Sequence, residues 1–238
     1  QKAIEHYTNV APSKEFLPAL AKGLSLMHTH NQQAQALQIL LSHQLTAATP
    51  YQEGISLLLA EHHQSTANQE AAKQALDDGL LQFPQSEVLL LSRAMHFVSV
   101  SDMAAAEQDL QKLIAINPDN SDALNTLGYI LVDANTRVLE GKGYIERSLK
   151  LDPDNAAAID SLGWAYYRLG DYPKATALLK KAINLMPNDE IAAHLGEVLW
   201  VSGQQDAAIK VWHQGLTLNP NSYYIQKRLK HFNLLDES

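Results

Sequence analysis

The sequence predicts an all-α protein, a solenoid of stacked antiparallel helix pairs. Pro50, Pro84, Pro118, Pro153, Pro187 and Pro220 recur at intervals of 34, 34, 35, 34 and 33 residues. Each is expected to close a helix-like apolar stretch, as in Ala-Ile-Asn-Pro118 and Thr-Leu-Asn-Pro220, because proline cannot continue a helix. Between the prolines, apolar residues return at helical spacing, and Gly or Ala recurs at matched places. A fixed period of this length means stacked supersecondary units. It favours a binding scaffold over an enzyme.

The elements follow in order. Residues 1–11 read as the second helix of a truncated upstream repeat, with Ala3, Ile4, Tyr7 and Val10 on one face. The chain begins without Met and is read as a fragment of a longer protein whose targeting segment has been lost. Residues 12–50 form a degenerate repeat, with Ala36 and Leu40 on its second helix. Residues 51–84 carry Leu59-Ala60, His63, Ala72, Leu76 and Gly79. Residues 85–118 carry Leu90, Ala94, Phe97, Ala106, Leu110 and Leu113. Residues 119–153 carry Leu124, Leu127-Gly128, Leu131, Gly141, Ile145 and Ser148, with one extra residue in the turn near Thr136-Arg137.

The sharpest unit is 154–187. Ile159, Leu162, Gly163 and Tyr166 share a helix face behind a cap at Asn155. Gly170 suits a left-handed C-terminal cap, and Asp171 can cap the second helix, whose inner face is Ala175, Leu179 and Ala182. Residues 188–220 repeat the pattern with Leu195-Gly196, Leu199, Ala208, Trp212 and Gly215. Residues 221–238 read as a C-terminal capping helix started by Asn221-Ser222. Ile225, Leu229 and Phe232 would face the array while Lys227, Arg228 and Lys230 stay in water.

Composition narrows the function. The 46% hydrophobic fraction suits a packed protein. Eighteen Lys and Arg against 26 Asp and Glu give a net charge of -8, which disfavours nucleic acid and anionic membrane as main partners. The longer apolar runs, 56–60 and 88–91, are too short to span a bilayer, so no direct membrane insertion is expected. The absence of cysteine removes disulfides, thiolate metal sites and Cys nucleophiles.

The order of residues in 154–187 is similar to the tetratricopeptide repeat. That family has a large residue, Leu-Gly and Tyr on the first helix, then Ala, a large apolar residue, Ala and Pro. Here these are Ile159, Leu162-Gly163, Tyr166, Ala175, Leu179, Ala182 and Pro187. The resemblance implies a right-handed superhelix whose first helices line a concave groove. Two segments, 158–170 and 190–200, together with Leu127-Gly128-Tyr129 and the Thr136-Arg137 turn, resemble proteobacterial tetratricopeptide lipoproteins. The likeness extends over about 119–220. It implies a periplasmic scaffold held at the outer membrane through a missing N-terminal lipid anchor. It also implies an adaptor role toward a carboxyl-terminal-processing protease and its substrates.

The same resemblance places Asn125, Tyr129, Asp160, Trp164, Tyr167, Arg168, His194, Glu197 and Trp200 in the groove. Large aromatics beside Asn, Asp and Arg have the chemistry of a peptide-binding surface. They are expected to be displayed, since the packed seam does not require Tyr129, Trp164, Tyr167 or Trp200. The alternative is that Trp164 and Trp200 pack against neighbouring helices within the array. The Lys/Asn clamp of chaperone-binding members is not expected, because Asn125, Asp160 and Ala193 occupy its Lys position.

No catalytic residue, metal site or cofactor is expected. His28, His30, His62, His63, His194 and Glu197 invite a metal, but no third ligand falls at sensible spacing. There is no glycine-rich phosphate loop. The reading is a non-catalytic scaffold for a protein or peptide partner. A self-associating module, pairing through the interrupted N-terminal repeat or the tail helix, is the alternative, and a metal-dependent hydrolase is a remote one.

Overall fold

The computed structural model describes residues 15–46 and 49–234. These residues hold thirteen helices and no strand. The predicted helix over 1–11, and the self-association edge it would present, lie outside the described residues. The chain divides into two compact units, residues 1–117 and 118–238.

The first unit contains α1 (Phe16–Thr29), α2 (Gln33–Thr46), α3 (Thr49–Ser65), α4 (Gln69–Gln82), α5 (Glu87–Ser99) and α6 (Met103–Ile116). The second contains α7 (Ser121–Asp133), α8 (Val138–Leu151), α9 (Ala156–Arg168), α10 (Tyr172–Leu185), α11 (Asp189–Val201), α12 (Gln205–Leu218) and α13 (Tyr223–His231). Odd and even helices pair as hairpins, and within the second unit α7, α9 and α11 pack in succession on one side.

Local chemistry explains the boundaries. Asn155 Oδ1 accepts from the Ala158 amide at 3.1 Å, and Asp171 Oδ1 from the Lys174 amide at 3.2 Å, so both predicted caps form. Ser222 caps α13 through the Ile225 amide at 3.2 Å. The turn between α7 and α8 has four residues where that between α9 and α10 has three, so the predicted insertion is present.

The turn inside each hairpin carries a left-handed residue. Gly170 has φ 81° and Gly203 φ 84°, but Asn31, Ala67, Ser101 and Asn135 take the same region at φ 55°, 57°, 64° and 56°. This second period is invisible as a glycine pattern.

Pro50 departs from expectation. The other five prolines follow the second helix of a hairpin, whereas Pro50 lies inside the first turn of α3. Proline is tolerated there because the amide it lacks would have no intrahelical acceptor.

Packing is close where small residues meet. A Cβ added at Gly128 would stand 2.7 Å from the Gly141 carbonyl oxygen and 2.5 Å from Ile145 Cγ1, so α7 and α8 touch almost backbone to backbone. At the far end of the second unit, Trp200, Trp212 and Phe232 form a three-ring cluster with centroids 5.4–5.9 Å apart. Ile225 is fully buried in the same apolar cluster, so α13 caps the last hairpin as expected. One expectation about α13 fails: Arg228 is 9% exposed and does not stay in water.

Candidate functional site in the second unit

The side formed by α7, α9 and α11 gathers the residues that sequence placed in a groove. They interlock more than they are displayed. The Trp164 indole is 1% exposed, and its Nε1–H donates to Asp133 Oδ1 at 3.0 Å. Its ring stacks on His194 with centroids 4.3 Å apart and an interplanar angle of 21°. The expectation that Trp164 stands free of the packed seam is therefore corrected. Close approach of α7, α9 and α11 leaves no room for a side chain that large to remain in solvent.

His194 is also buried. Its Nδ1–H donates to the buried Asp160 carboxylate at 3.0–3.1 Å, and Nε2 has no partner. The imagined pairing of His194 with Glu197 around a metal is replaced by separate engagements. Glu197 accepts from the Tyr167 hydroxyl at 3.0 Å and from Arg228 Nε at 3.0 Å. Among the described residues no group of three or more His, Asp or Glu is arranged to hold a metal ion.

Tyr129 spans the whole side. Its hydroxyl donates to Glu190 Oε1 at 3.2 Å, joining α7 to α11 across α9. That reach requires the row of first helices to bend tightly. Burial, reinforced by Glu190, raises the Tyr129 hydroxyl pKa, and burial also raises the Glu190 carboxyl above its ordinary range. Tyr167 is raised by burial and then by Glu197.

Arg168 lies over the Trp164 ring at 4.8 Å, with Nη2 donating to the Asp133 carbonyl and carboxylate at 3.2 and 3.3 Å. Arg228 reaches the same indole from α13 at 5.7 Å. Asn125 and Trp200 are half-buried, and the buried Oδ1 of Asn125 has no hydrogen-bond partner. Beside these groups opens a pocket of about 480 Å³, bordered by Trp164 and Arg168 and by Lys227, Arg228 and Lys230 of α13.

The sequence reading missed Arg228 as part of this site. A signal was available: Arg228 is three residues after the fully buried Ile225, and so shares its helix face.

In the first unit Phe16 meets His43 and Tyr51 edge-on, with ring centroids 5.2 and 5.0 Å apart. Histidines of this unit pair locally, with His28 Nε2 and His62 Nδ1 2.9 Å apart. His62 is buried, which lowers its pKa, as do the neighbouring His28 and His63. Nearby, Arg93 bridges Asp109 and Asp77 at 2.7 Å each, and the bond to Asp109 raises its pKa further.

With this geometry in place, likenesses to known proteins are informative. Residues 156–189 match the tetratricopeptide repeat family. Over 196 residues the chain is 37% identical to the TPR repeat-containing protein PA4667 of Pseudomonas aeruginosa, covering 82% of this chain and 33% of that protein. The chain thus spans about a third of the length of that relative. A thermophilic TPR protein of Thermus thermophilus superposes with a TM-score of 0.67 at 22% identity, over 77% of this chain and 100% of that one. A tetratricopeptide repeat protein of Parabacteroides merdae superposes at 0.72 and 14% identity, over 92% of this chain and 87% of that one.

Proposed function

From a tetratricopeptide-type helical solenoid in which residues 156–189 match that repeat family, we propose that the chain is a non-catalytic scaffold that binds a protein partner along the α7–α9–α11 side. Stacked repeats generally serve protein–protein interaction through such extended surfaces. The observation that carries the proposal is the interlocked set Tyr129, Trp164, Arg168, His194 and Glu197. It holds these helices rigid and leaves Asn125, Arg168 and Trp200 partly open along the same side. A surface held in place before binding loses little entropy on association.

The finer reading is an adaptor that brings substrates to a carboxyl-terminal-processing protease in the periplasm, tethered to the outer membrane by a lipid anchor outside this sequence. Its support is the resemblance of residues 119–220 to such lipoproteins.

The scaffold reading is tested by immobilising the chain and comparing protein capture by wild type and an Asn125→Arg/Val201→Arg variant. Val201 is 41% exposed whereas Asn125 is half-buried, so the Val201→Arg single variant is measured beside the double one to keep the test valid if the double variant does not fold. Loss of capture with an unchanged helical spectrum is expected; full capture would move the partner surface elsewhere. For the adaptor reading, cleavage by a protease of this class from the same organism is measured with and without the chain. Faster cleavage supports the role, and equal rates with no co-elution reject it.

A further inference from the structure

We propose that the pocket between α13 and the C-terminal halves of α7, α9 and α11 binds carboxylates on an acidic segment of a protein partner. The proposal deepens the scaffold reading and rests on it. Arg168, Lys227, Arg228 and Lys230 bring four positive charges to the pocket, against two negative charges from Asp133 and Glu197. This is a local excess of cations in a chain whose net charge is -8.

The internal pairs do not consume that excess. Asp133 is held by Arg168 and the Trp164 indole, and Glu197 by Arg228 and Tyr167. Lys227 and Lys230 are exposed and have no carboxylate partner among the described residues. Arg168 adds a second indication: its Nε is buried and bonds to nothing, although its Nη2 is engaged. A buried guanidinium N–H without an acceptor is costly and suits an incoming carboxylate.

Position reinforces charge. Arg168 and Arg228 lie over one buried indole, 4.8 and 5.7 Å from its ring centroid, and Lys227 and Lys230 line the same pocket. The two arginines are fixed by their carboxylate pairs, whereas the two lysines are exposed, Lys227 resting only over the Tyr223 ring at 5.9 Å. The site is therefore split between repeat helices and the capping helix, and α13 becomes part of the binding surface as well as a lid on the core. Carboxylates are favoured over a nucleic-acid backbone because the rest of the chain is acidic and would repel an extended polyanion.

The test uses the whole chain and fluorescein-labelled peptides, read by fluorescence anisotropy. One peptide carries four Glu and an amidated C-terminus. A second has Gln in their place, and a third is the Gln peptide with a free C-terminal carboxylate. Tighter binding of the Glu peptide than the amidated Gln peptide assigns the pocket to side-chain carboxylates. Tighter binding of the third assigns it to a chain terminus. In either case Lys227→Gln/Lys230→Gln should weaken binding roughly tenfold or more, because charged hydrogen bonds are lost. Lys180→Gln/Lys181→Gln, exposed on α10, should leave it unchanged.

Equal binding of all three peptides, equal loss in both double variants, or stronger binding of a short oligothymidylate would overturn the proposal. Unchanged capture of a protein partner by the Lys227→Gln/Lys230→Gln variant, together with equal peptide binding, would remove this pocket and leave the scaffold reading standing. Failure of the wild-type chain to capture any protein would remove both.

Discussion

Replacing Trp164 by Ala separates a structural tryptophan from a displayed binding anchor. Burying a tryptophan removes about 150–250 Å² from water, worth roughly 4–6 kcal/mol at 25 cal/mol per Å². Because Ala keeps the Cβ and neighbours relax in part, large-to-small replacements of this kind cost about 3–5 kcal/mol. Here the loss includes the stack on His194 at 4.3 Å and the hydrogen bond to Asp133 at 3.0 Å. Trp164→Phe keeps most of the packing and loses the N–H donor, so it should cost less, with about 1 kcal/mol from the hydrogen bond alone. Urea unfolding followed by circular dichroism gives the overall effect. Hydrogen exchange of α9 amides localises it, which matters because two units need not unfold together. A Trp164→Ala variant within about 0.5 kcal/mol of wild type would refute the reasoning.

Other outcomes follow from the same geometry. Gly128→Ala should destabilise by about 1–3 kcal/mol through its contacts with Gly141 and Ile145, while Gly143→Ala, with nothing within 4 Å, should be neutral or stabilise α8 by up to about 1 kcal/mol; urea midpoints of the two compare them directly. Ala67→Gly should raise stability by about 0.5–1 kcal/mol because φ at this position is 57°, and Gly170→Ala should lower the thermal midpoint. Arg93→Ala leaves the Asp109 carboxylate, 8% exposed, without its cation and should cost about 3–5 kcal/mol in the first unit.

Burial raises Glu190 in the folded state, so the fold holds this proton more tightly than the unfolded chain does. The cost is full above the folded pKa and disappears as pH falls through it and below the unfolded value. Glu190→Gln should therefore raise the melting temperature near about pH 8, with the gain gone by about pH 3.5. An equal gain at both pH values would contradict that assignment.

Much of the fold was legible because its signals are local. The hairpin order, the caps at Asn155, Asp171 and Ser222, and the added turn residue near Thr136 all depend on neighbours a few positions apart. Pro50 misled because proline is compatible with two places, after a helix and in its first turn. The left-handed turns at Ala67 and Ser101 were hidden because the residues there do not advertise that conformation.

The site was legible in membership more than in state. Sequence gathered Tyr129, Asp160, Trp164, Tyr167, Arg168, His194 and Glu197 on one side. It could not report that they bond to one another, because that depends on how tightly the helices bend. Tyr129 and Glu190 are 61 residues apart in sequence and 3.2 Å apart in space. Arg228 was misplaced for the same reason. Its charge suggests water, while its register beside Ile225 carries it to Glu197.

The central claim is that a protein partner docks on the α7–α9–α11 side of the second unit. Site-specific photo-crosslinking tests it most directly, with a photo-reactive residue placed in turn at positions 125 and 201 on the first helices and at 180 and 185 on α10. A crosslinked partner from 125 or 201, and none from 180 or 185, is the predicted result. Crosslinks confined to 180 and 185 would contradict the account.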